Sequence, residues 1–143
     1  MKLTLIQRFF CHLTIFILLF SGLVWLIFNF AIEPNSPFRF LSTWSLRLHG
    51  AASYGFLIVF GMLLSTHISF NWQVKKNRRK SGIVLAGIFV ILITSGYLLY
   101  YASGENFRAF ISYLHWILGI LATAIFVAHF LFSPSKKPKI PLV

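Results

Sequence analysis

Five histidines stand in an otherwise strongly apolar chain, and four of them pair by helical spacing. His115 and His129 are fourteen residues apart in the run from Leu114 to His129. At about 100° per residue that is only about 40° short of four turns, so both imidazoles leave nearly the same side of one helix. His49 and His67 are eighteen residues apart, which is about five whole turns. A neutral imidazole binds iron through one nitrogen and donates its other N–H to a carbonyl or water. The chemistry that two such pairs fit is bis-histidine ligation of two haems, iron being held through His49, His115, His67 and His129.

The elements that must carry these side chains are membrane spans. Of 143 residues, 58% are hydrophobic and 10% charged, well outside an ordinary soluble domain. The expectation is an all-α, integral membrane four-helix bundle over residues 1–132, followed by a basic, proline-broken tail over 133–143. The spans fall at about 9–30, 44–71, 82–101 and 107–132, each long enough for a bilayer of about 30 Å at about 1.5 Å per residue. The first is too long for the apolar part of a signal peptide, and it ends in Trp25-Leu26-Ile27-Phe28 rather than in the small residues of a cleavage site. Pro34 and Pro37 break the chain between the first two spans. The single cysteine, Cys11, excludes a disulfide framework, a cysteine-based zinc site and the C-x-x-C-H attachment of a covalent haem. Spans two and four share the histidine pairing, without a convincing internal repeat.

Ten of the thirteen basic residues fall on the side of the N-terminus, the second loop and the tail; Arg39, Arg47 and Arg108 fall on the other. This bias places both termini in the cytoplasm, in a multi-pass membrane protein. The net charge of +11 is then directed at anionic headgroups of the lipid bilayer, with no nucleic acid implied. Spans two and four run the same way, so His49 with His115 form an outer tier and His67 with His129 an inner one. Intramembrane ionisable groups of this kind face the bundle interior. His12 shares the inner depth; any two of these three can ligate an inner haem, and the third then serves a proton path, a quinone hydrogen bond or an interfacial position.

Small residues near the histidines, Gly50, Ala52, Ser53, Gly119 and Ala122, leave room for a flat cofactor, although they also serve close helix packing. Arg47 and Arg108 are candidates for haem propionates in the outer tier, and Lys75, Arg78 or Arg79 in the inner one. Glu105, Tyr97, Tyr100 and Tyr101 gather near the outer surface as a candidate quinone site, where an aromatic belt places tyrosines as well.

The four-span plan, the His-x13-His of the last helix and a histidine at the outer start of span two resemble the small diheme b-type cytochromes of bacteria, the cytochrome b561 class. That resemblance implies two b haems, electron transfer between a quinone pool or small reductant and a partner across the membrane, and ligation by His49 with His115 and by His12 with His129. His67 has no counterpart in that pattern. The chain also resembles a group of small four-span bacterial membrane proteins with a Leu-His-Gly start and a second histidine at the end of span two, as His49 and His67 stand here. This favours His67 with His129 for the inner haem, His12 being the alternative.

The expected function is therefore electron transfer across the membrane, the haem supplying the redox chemistry, with a quinone and a c-type cytochrome or larger redox complex as partners. Two other classes remain: a haem-free accessory subunit that braces a membrane complex, and a transporter whose histidines pass protons or a metal ion. Scarcity of intramembrane carboxylates stands against the transporter.

Overall fold

A computed structural model describes residues 4–31, 33, 35–68 and 79–131, the side chains of 67, 68 and 79–81 excepted. Every described element is helical: α1 (Leu5–Ala31), α2 (Arg39–Leu63), a π-helical turn that continues α2 (Leu64–Ile68), α3 (Arg79–Tyr101) and α4 (Glu105–Leu131). Four helices are long and apolar enough to cross a membrane.

Their ends have local causes. Thr4 and Gln7 form a reciprocal capping box: the Gln7 amide N–H donates to Thr4 Oγ1 at 3.2 Å and the Thr4 N–H to Gln7 Oε1 at 3.0 Å. Two of the free N–H groups of the first turn are thereby satisfied, and α1 begins a full turn before the apolar run at Phe9. Pro37 closes the connection, and α2 starts at Arg39, earlier than the expected Trp44. Between α3 and α4 the chain turns through Gly104 at φ +94°, a left-handed conformation that a side chain disfavours. Glu105 follows in the first turn of α4, where its charge suits the helix dipole.

The helices pair as two hairpins, α1 with α2 and α3 with α4, and α4 returns to α1. Phe56 and Phe60 of α2 meet Phe89 of α3 edge to face, with ring centres 4.9 and 5.8 Å apart, and so join the hairpins. Around them Cys11, Ile15, Val59, Leu85 and Ala122 complete one buried apolar cluster. Large apolar side chains such as Phe16, Ile58 and Phe110 stand exposed around the circumference, a surface that suits lipid and not water. The only buried polar side chains among the described residues are Ser21, Ser45 and Ser95.

Candidate functional site

Two of these serines sit beside histidines. His49, half-buried on α2, and His115, half-buried on α4, face each other with ring centres 6.1 Å apart and planes at 73°. His49 Nδ1 lies 3.1 Å from Ser21 Oγ and 3.0 Å from the Leu18 carbonyl oxygen, both on α1. His115 Nδ1 lies 2.8 Å from Ser95 Oγ on α3. Each ring passes close over a glycine: a Cβ at Gly22 or Gly96 would stand 3.4 Å from the ring's Cε1.

At His49 a carbonyl indicates which nitrogen carries the proton. A carbonyl oxygen only accepts, so the Nδ1 beside it must donate. The serine hydroxyls already donate to carbonyls of their own helices, Ser21 to Ile17 at 2.6 Å and Ser95 to Leu92 at 3.1 Å, and their oxygens are left to accept. His49 thus has Nδ1–H and an unprotonated Nε2, a form in which imidazole binds a metal, and the Ser95 oxygen favours the same form at His115. Neither Nε2 makes a hydrogen bond among the described residues.

The two halves of the bundle build this arrangement in the same way. Ser21 and Ser95 are each the seventeenth residue of their helix, and His49 and His115 each the eleventh. At the site the two hairpins repeat one short pattern: Leu18, Ser21 and Gly22 correspond to Leu92, Ser95 and Gly96, and Leu48-His49 to Leu114-His115. Side chains around these positions differ, which hides the repeat from composition. The Ser-Gly pairs are the sequence signal for it, a weak one because hydroxyls are common in membrane helices.

At the other end, His12 of α1 packs edge-on against Phe126 and Phe130 of α4, with ring centres 5.5 and 4.8 Å away. Its Nδ1 is 2.6 Å from the Arg8 carbonyl oxygen, so Nδ1 again donates. Its Nε2 is buried without a hydrogen-bond partner. His129 is half-buried in the last turn of α4. The backbone of His67 lies in the π-helical turn, but its side chain is outside the described residues, as are Lys75, Arg78 and the side chain of Arg79.

The remaining candidates are placed as follows. Arg47 lies over the Trp44 ring at 5.1 Å, and Arg108 is exposed in the first turn of α4. Gly50 is approached by Tyr100, whose hydroxyl would stand 2.8 Å from an added Cβ. Ser53 donates to the Gly50 carbonyl at 2.6 Å, and Ala52 is half-buried. Gly119, one turn from His115, has nothing within 4 Å of an added Cβ, whereas Ala122 is closed into the apolar cluster. Tyr97 and Tyr101 pair at 4.5 Å and, like Glu105, are exposed.

No protein-family model, no curated protein and no solved structure matches this chain.

Proposed function

We propose that the chain is a membrane-embedded b-type cytochrome that holds haem between His49 and His115 and passes electrons across a bacterial inner membrane, with both termini cytoplasmic. The observation that carries this reading is the opposed histidine pair. Its ring centres are 6.1 Å apart. Two imidazoles supply only two donors, so the pair fits a metal that arrives with its other donors in place, as in a porphyrin. The chain's share of the work is to present two unprotonated Nε2 atoms and to hold their rings through Nδ1.

The inner haem of the proposal takes His129 with His12. The buried, unpartnered Nε2 of His12 favours it over the expected His67, since a buried nitrogen lone pair without a partner is costly. Bound haem supplies one-electron chemistry; burial, ligand type and hydrogen bonding to the ligands tune it. A quinone near Glu105 and Tyr97, and a c-type cytochrome or larger redox complex, remain the proposed partners.

A pyridine haemochrome count on the purified chain tests the reading. Two haems per chain are expected, one fewer in H49A, H115A and H12A, and no change in H67A. Loss in H67A with none in H12A would move the inner ligand to His67. A wild-type chain without a Soret band under ample haem supply would end the cytochrome reading in favour of a bracing subunit, and a metal-dependent flux in proteoliposomes would favour a transporter.

A further inference from the structure

Ser21 and Ser95 are the most deeply buried polar side chains among the described residues, 1% and 3% exposed. Both point at histidines. Back-bonding to the helix's own carbonyl satisfies a buried hydroxyl by itself, so helix packing alone does not require a partner on the facing helix. Yet each hydroxyl oxygen meets an Nδ1, at 3.1 Å for His49 and 2.8 Å for His115, from the same register of two separate hairpins.

We propose that Ser21 and Ser95 are positioning residues: each hydroxyl, tethered to its own helix, accepts the Nδ1–H of the facing histidine, directs the unprotonated Nε2 away from the serine's helix and sets the plane of the ring. The consequence for electron transfer rests on the haem reading above. A hydrogen bond accepted from Nδ1–H makes the imidazole a stronger donor to iron. That stabilises the ferric state and lowers the potential of the outer haem. The two hydroxyls act on opposite ligands, so their effects should be separable.

The test uses the full chain in lipid nanodiscs with 15N-labelled histidine, haem-free and haem-loaded, the signals being assigned by their loss in H49A and H115A. In the haem-free wild type both rings are expected in the Nδ1–H form, although neutral histidine in water favours Nε2–H. S21A is expected to shift the His49 Nδ1 signal in part, the Leu18 carbonyl 3.0 Å away still accepting, and to leave His115 unmoved; S95A is expected to move the His115 Nδ1 signal toward that of a weakly bonded N–H and leave His49 unmoved. S21T and S95T, which keep the hydroxyl, hold the wild-type positions. In the loaded protein each alanine variant raises the midpoint potential of the outer haem and alters its low-spin ferric EPR spectrum while haem content is retained. A wild-type Nε2–H form, or Nδ1 signals unmoved in both alanine variants, overturns the proposal. Nδ1–H rings in a chain that never takes up haem uphold the positioning role and sink the cytochrome reading. Haem that binds with unchanged potential and spectrum in both variants does the opposite.

Discussion

A Cβ at Gly22 would lie 3.4 Å from His49 Cε1, and one at Gly96 the same distance from His115. That is ordinary contact, so G22A and G96A should keep the full haem content. G22V and G96V add branched methyls against the ring and should each remove the outer haem, read as one haem fewer per chain. Equal loss in the alanine variants would mean that the rings need more room than this geometry gives them. At this scale the sequence made the histidines legible, because an ionisable side chain repeated at helical spacing in an apolar run has few bland explanations. Ser21 and Ser95 were not legible, since their partners lie 28 and 20 residues away and a hydroxyl inside a membrane helix usually bonds its own backbone. The sequence leaves His12 open between inner ligand, proton path, quinone hydrogen bond and interfacial position; only its contact with α4 shows that Nε2 is enclosed.

The helices themselves were largely readable, with errors at their ends. Hydropathy marks where a segment is apolar, but a helix ends where its backbone groups find other partners. Thr4 with Gln7 extends α1 beyond its apolar stretch, and the polar residues after Pro37 join α2 because nothing between Arg39 and Trp44 interrupts it. How the helices meet was not readable at all. The join between hairpins through Phe56, Phe60 and Phe89 involves residue types that also cover the lipid-facing surface. Because this join is made by packing and not by polar ties, F89A should weaken the bundle by about 3 kcal/mol, the range for a truncated buried phenylalanine. SDS-driven unfolding in mixed micelles measures it. The outer histidine pair lies beyond this cluster along the helices, so F89A should bind the outer haem at wild-type stoichiometry under mild conditions.

For the molecule as a whole, the uneven distribution of basic residues, ten against three, predicts an even number of crossings with both ends in the cytoplasm. Fusions of a cytoplasm-active fluorescent reporter at either terminus should glow, and a periplasm-active phosphatase should report only when inserted near Glu33 or Glu105. A phosphatase signal from one terminus would require three or five crossings and break the equivalence of the two hairpins.

That equivalence reaches beyond architecture. Each hairpin owns one imidazole of the outer pair together with the serine and glycine that seat it, and neither owns two. A gene opened between the codons for residues 68 and 79 would encode two half-chains, each with a single opposed ligand for a group that needs two. On the haem reading, colour would then develop only where both polypeptides find one another, making the pigment a reporter of reassembly.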